Sequence, residues 1–359
     1  MRKPKESGDR LLSLKKNPVF VMSLGNKELF HSNFLAWCLG QNGEAWDELR
    51  KLFFFEPGMK VEREKKNFDL LLSGENRCVV VENKFKSLPS IRQLEDYSKK
   101  IDGEFPGKKI YKLLLAPEAI LKQARKLPKD WKKVSFEQVI ACMNRPAQGD
   151  KIVKKYCEFV EILLEEIERV TARFTPKAEV FEILDERAAV YQDLRVGDLF
   201  EKLWASVLWG KIGWSSDCER DPNNRVDYTR GHSLLNFLVY HEKVDGFSYG
   251  LQIQAKKLKF VVILGKALME EHRKEGGERI RKLIADVLKS LGLAGRVDEF
   301  KREKTWSLRS YTTPNDVFLY EQICLGKEKV EDLRKHIDEA LECMKKFITK
   351  ETLSKKKGS

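Results

Sequence analysis

Asn67-Phe68-Asp69-Leu70-Leu71-Leu72 and Cys78-Val79-Val80-Val81-Glu82-Asn83-Lys84 are two apolar runs joined by the polar segment Ser73-Gly74-Glu75-Asn76-Arg77. Runs rich in Leu and Val around a short glycine-containing break read as a β-hairpin. Side chains alternate across a strand, so Glu82 and Lys84 share one face, about 6–7 Å apart along the chain. Asp69, on the partner strand, reaches the same spot. A carboxylate set into a valine run is costly to bury unless something positive meets it. Two carboxylates and an amine at the edge of a buried hairpin suggest a site for a hard cation with an ammonium beside it. The plain alternative is a Glu–Lys ion pair on a solvated face.

Working outward, Lys27 to Gly40 reads as a helix, with Leu29, Phe30, Phe34, Leu35, Trp37 and Cys38 as its apolar positions and Gly40 as its stop. Glu44 to Phe55 reads as a second helix, closed by Pro57-Gly58, and Lys60 to Lys65 as a strand entering the hairpin. After Lys84, Ser90 is the expected N-cap of a helix on which Gln93 and Tyr97 stack at i and i+4. Lys109 to Ala116 reads as a buried strand, Trp131 to Met143 as a strand and helix, and Lys151 to Val170 as a long amphipathic helix. This order predicts an α/β fold, a mixed β-sheet flanked by helices.

Thr175-Pro176 is the expected boundary, giving an N-terminal domain over 1–174 and a C-terminal α+β domain over 175–359. In the second half, helical patterning runs to about Trp209. A strand pair is expected around 249–254 and 258–263, a charged helix over 270–291 and an amphipathic helix over 330–348. The 301–311 segment mixes Lys301, Arg302, Lys304, Trp306, Arg309 and Tyr311. Single-strand-binding surfaces have that character, and so does a solvent-facing loop.

Composition bounds the function. The 68 Lys and Arg against 55 Asp and Glu leave a formal charge of +13, an electrostatic case for a polyanionic partner. Seven scattered cysteines form no close pair, which argues against a zinc ribbon or a disulfide framework and fits a reducing, cytoplasmic setting. No apolar run approaches the roughly 20 residues of a membrane span. No G-x-x-x-x-G-K-[ST] or H-E-x-x-H occurs, so neither an ATPase nor a zinc protease is indicated.

Asp69 followed thirteen positions later by Glu82-x-Lys84 resembles the PD-(D/E)xK nuclease signature, with Phe68 in place of its proline. Gln93-x-x-x-Tyr97 is similar to the Q-x-x-x-Y element of the RecB-like branch. Glu28-Leu29-Phe30-His31-Ser32-Asn33-Phe34-Leu35-Ala36-Trp37 resembles the opening helix, E-x-x-H-S-x-x-L-A-W, of an uncharacterised bacterial group of this superfamily. The L-L-D-P ending usual there is replaced by Cys38-Leu39-Gly40-Gln41.

The resemblance spans roughly residues 25 to 170. It implies a restriction-endonuclease-like fold and a nuclease using Mg²⁺, with Mn²⁺ as substitute, on nucleic acid, DNA favoured over RNA, in restriction, repair or defence. It implies Asp69, Glu82 and Lys84 as catalytic residues with Gln93 and Tyr97 beside them. Glu28, Asp69 and Glu82 become metal ligands. Beside them, Lys86 and Arg92 are candidate clamps on the nucleic-acid backbone, and His31 and Ser32 further candidate contacts to it. For His31 a core histidine is the competing reading. A binding module of the same fold without turnover is the alternative function.

Overall fold

The computed structural model describes residues 10–23, 28–89, 91–124, 127–212, 226–229, 232–240, 247–264, 282, 285–287, 289–290 and 317–354. Ser90, the 301–311 segment and most of 270–291 lie outside these residues. The chain divides into two compact units, one of residues 1–173 with 184–210, the other of 174–183 with 211–359. Residues 184–210 thus return to the first unit, across the boundary expected after residue 174.

The first unit is built on a five-stranded sheet in the order β1-β2-β3-β4-β5. Its strands are β1 (Lys60–Arg63), β2 (Leu70–Ser73), β3 (Arg77–Asn83), β4 (Lys109–Ala116) and β5 (Trp131–Ser135). β1, β2 and β3 pair antiparallel, and β3, β4 and β5 parallel. The sheet is therefore mixed, as expected. Its parallel centre explains the unbroken apolar runs. Val79, Val80, Val81, Leu113, Leu114 and Leu115 are all at most 1% exposed, because helices cover both faces of a parallel sheet.

The helices are α1 (Pro18–Ser23), α2 (Glu28–Leu39), α3 (Asp47–Leu52), α4 (Ile91–Glu104), α5 (Glu118–Gln123), α6 (Phe136–Gly149) and α7 (Lys151–Ala172). Local chemistry sets their starts. Ser135 and Gln138 form a reciprocal capping box on α6, and Asp150 accepts from the Ile152 and Val153 amides to open α7. α8 (Glu182–Asp185), α9 (Ala188–Asp193) and α10 (Gly197–Ile212) follow where one helical stretch was expected. Arg195, at φ 57, turns the chain between the last two.

The second unit carries an antiparallel sheet in the order β10-β9-β8-β7-β6. Its strands are β6 (Val226–Thr229), β7 (His232–Tyr240), β8 (Phe247–Gln254), β9 (Lys257–Leu264) and β10 (Val317–Cys324), and α11 (Val330–Ser354) packs on β8. Gly250, at φ 154, lies so close to β7 that a Cβ would meet the Phe237 carbonyl at 2.0 Å.

Candidate active site

β3 ends where the charged residues begin. Leu70 pairs with Val81, so Asp69, one position earlier, faces Glu82 across the ladder. The Asn83 amide donates to Asp69 Oδ2 at 2.7 Å, which fixes that carboxylate against the strand. The turn leading into Asp69 carries Glu64, Lys66 and Asn67 at φ 49, 57 and 66. Left-handed backbone at non-glycine residues costs roughly 1 kcal/mol or more each and persists only where neighbours enforce it. Here the enforcing element is α4. Its Gln93, Tyr97 and Lys100 lie on one face at steps of four and three. Gln93 Nε2 donates to Glu82 Oε1 at 3.1 Å, the Tyr97 ring meets Phe68 edge-on at 5.6 Å, and Lys100 Nζ donates to the Lys66 carbonyl at 2.6 Å. Phe68 is thus a packing anchor for the strained turn.

Glu82 is 3% exposed and accepts from Lys84 Nζ at 2.7 Å. Burial pushes its carboxyl up to about 7; Lys84 opposes that rise, and the nearby Asp69 carboxylate adds to it. Asp69 faces Glu82 across the ladder, close enough for its charge to bear on the Glu82 carboxyl. For Lys84, burial would lower the ammonium's pKa. The bonded Glu82, with the charges of Glu28 and Asp69, overrides that and raises it. The corner thus gathers the carboxylates of Glu82, Asp69 and Glu28 around the Lys84 ammonium.

The expected residues fall into three groups. Asp69, Glu82, Lys84, Gln93 and Tyr97 come together, with Gln93 Nε2 also 3.2 Å from the Tyr97 hydroxyl. Glu28 is near but differently engaged: its Oε1 accepts the Lys86 amide at 3.1 Å. Among the described residues, no group of three or more His, Cys, Asp or Glu side chains is arranged to hold a metal ion. Asp69 and Glu82 are the two carboxylates here that could hold a cation, and one or two carboxylates plus waters is the set Mg²⁺ takes. Arg92 lies exposed on α4 and Lys86 is half-buried.

His31 and Ser32 correct the sequence reading, since at 2% and 3% exposure neither can touch a nucleic acid. His31 stacks on Phe85 at 4.1 Å, and its Nδ1 lies 3.1 Å from the Tyr156 hydroxyl. Burial, helped by the Lys86 charge, lowers its pKa to about 3, so it is a neutral core histidine.

The residue that sequence reasoning passed over is Asn83, 2% exposed between Glu82 and Lys84. Its Nδ2 donates to the Glu28 carbonyl at 3.0 Å and to Ser32 Oγ at 3.1 Å, while its Oδ1 is buried with no hydrogen-bond partner. The available signal was an amide in a strand otherwise apolar or charged.

No curated protein and no solved structure gives a significant match. The family model of the PD-(D/E)XK nuclease superfamily matches residues 47–157, a span that contains β1 to β5, Asp69, Glu82 and Lys84. Residues 47–157, within the first unit, are thus similar to the PD-(D/E)XK nuclease superfamily.

Proposed function

We propose that the first unit hydrolyses phosphodiester bonds in nucleic acid, DNA in preference to RNA, at the Asp69–Glu82–Lys84 corner. One observation carries this reading: the buried Glu82 carboxylate, its pKa pushed up to about 7 with Asp69 facing it across the ladder, is met by the Lys84 ammonium at 2.7 Å. A bound Mg²⁺ or Mn²⁺ would be held by Asp69 and Glu82, and would supply charge neutralisation at the phosphate and a more acidic water. The chain's own residues do the rest. Lys84, its pKa raised, stays protonated at neutral pH, so it stabilises charge on the phosphate oxygens instead of acting as a base. Gln93 holds Glu82 in the orientation that faces Asp69. Tyr97 steadies Gln93 and the turn before Asp69.

Lys86, Arg92 and the chain's positive balance are assigned to the phosphate backbone, and the second unit to additional substrate contacts. Glu28 acts as a charge behind Lys84, not as a direct ligand. A rival reading, a binding module without turnover, is favoured by the lack of a third clustered acid among the described residues.

The test is a panel of single- and double-stranded DNA and RNA incubated with Mg²⁺, Mn²⁺ or EDTA, with affinity measured across a salt series. Metal-dependent cleavage, EDTA inhibition and affinity that falls steeply with salt are expected. Salt-dependent binding with no cleavage under any metal would give the rival its support. Neither binding nor cleavage would remove both.

A further inference from the structure

We infer that Asn83 is a positioning residue that locks the start of α2, and with it Glu28, to the strand bearing Glu82 and Lys84; this rests on the reading of that corner as a cation site. Glu82 and Lys84 project from one face of β3, so Asn83 between them projects from the other. On that other face it meets the first turn of α2. Both amide hydrogens are used there, on the Glu28 carbonyl and on Ser32 Oγ, and Ser32 Oγ itself donates to the Glu28 carbonyl at 3.4 Å. The three groups form a closed triangle at the helix start. The Glu28 side chain, leaving the same residue, accepts the Lys86 amide at 3.1 Å and places its charge near Lys84. The Asn83 backbone amide meanwhile holds Asp69 at 2.7 Å. One residue thus contacts the elements that supply all three acids.

The chemistry of the side chain fits this role and no simpler one. A buried amide with an unpartnered Oδ1 is costly, and an apolar residue of similar size would avoid that cost. An aspartate would have no hydrogens for the Glu28 carbonyl. Only an amide of this length supplies two donors at the helix start. The position is filled for its donors, despite the orphaned oxygen.

The test is a double-mutant cycle on the full-length chain, with Mn²⁺ affinity read by calorimetry and kcat and KM read separately. Asn83→Leu and Glu28→Gln should each weaken Mn²⁺ binding about tenfold, the scale for losing a partner behind a metal ligand. Each should lower kcat with little change in KM. The double variant should be no worse than Glu28→Gln alone, because the amide acts through that residue. Ser32→Ala, which leaves the bond to the Glu28 carbonyl, should shift Mn²⁺ affinity the same way by a smaller factor, and it serves if Asn83→Leu does not fold. Unchanged Mn²⁺ affinity in Asn83→Leu, or in Ser32→Ala where the leucine variant is unfolded, overturns the inference, as do effects that multiply in the double variant. If wild type takes up no divalent cation, the reading of the corner falls and the inference falls with it.

Discussion

Two buried glutamates in the first unit, Glu82 and Glu166, have opposite electrostatics. Glu166, on α7 and 4% exposed, is met by Arg169 through Nε at 3.0 Å and Nη2 at 2.7 Å, by Arg187 at 2.8 Å and by the Tyr191 hydroxyl. Burial would raise its pKa, but the bonds from Arg169 and Tyr191 and the arginine charges outweigh that and lower it. Glu82 is equally buried, has one lysine and a neighbouring carboxylate, and is pushed up to about 7. A cluster that only holds the fold saturates its carboxylate. At the β3 corner desolvation outweighs the one lysine, and that is where the proposed divalent cation would add positive charge.

That difference can be broken from either side. Glu166→Ala should leave Arg169 and Arg187 buried without their partner and cost about 3–5 kcal/mol of stability by denaturant unfolding, the range for removing one member of a buried pair. Cleavage by the fraction still folded should keep the wild-type rate. Lys84→Ala should do the reverse. Glu82, already pushed up to about 7, can take up a proton in place of its lost partner, so the stability loss should be the smaller one. The chemical step should lose about 10²-fold or more. Equal stability losses for the two variants, with no rate difference, would erase the distinction between a structural cluster and a functional one.

His31 sharpens the comparison with a pH dependence of its own. Its folded pKa of about 3 lies below the unfolded value of 6.5, so the unfolded chain binds the extra proton between them. Its contribution is present above pH 6.5 and is lost as pH falls toward 3. The full loss is on the order of 5 kcal/mol by the pKa difference. His31→Phe should flatten that acid limb of the stability curve without altering cation uptake at pH 7. An unchanged acid limb would mean that the imidazole can be protonated in place.

How much of this could be read from the sequence follows from where the partners sit. β2, β3 and β4 were legible because a parallel centre demands unbroken apolar runs, and Lys109–Ala116 emerges with its expected ends. Asp69, Glu82 and Lys84 were legible because charges are rare in such runs. β6 and β7 were not, since Ile212 to Gly250 interleaves aromatic, polar and glycine residues with no clean period. The Glu166 cluster was invisible: Glu166 and Arg169 look like an ordinary i, i+3 surface pair, while Arg187 and Tyr191 arrive 21 and 25 residues later. His31 was misplaced because a resemblance in motif says nothing about depth. Phe34 and Leu35, at i+3 and i+4, were the signs that its helix face is core. Asn83 was missed for a similar reason, because its partners lie more than 50 residues upstream on α2.

The central claim is that Glu82 is ionised in service of a cation and not merely paired with Lys84. The direct measurement is the cleavage rate of Glu82→Gln beside wild type in Mg²⁺, with melting temperature and nucleic-acid affinity recorded for both. The substitution keeps shape while removing the negative charge. The account predicts that cleavage and metal affinity collapse, that nucleic-acid binding persists, and that the metal-free protein stays folded, with Lys84 still facing the charges of Glu28 and Asp69. A folded Glu82→Gln protein that cuts as fast as wild type would contradict it.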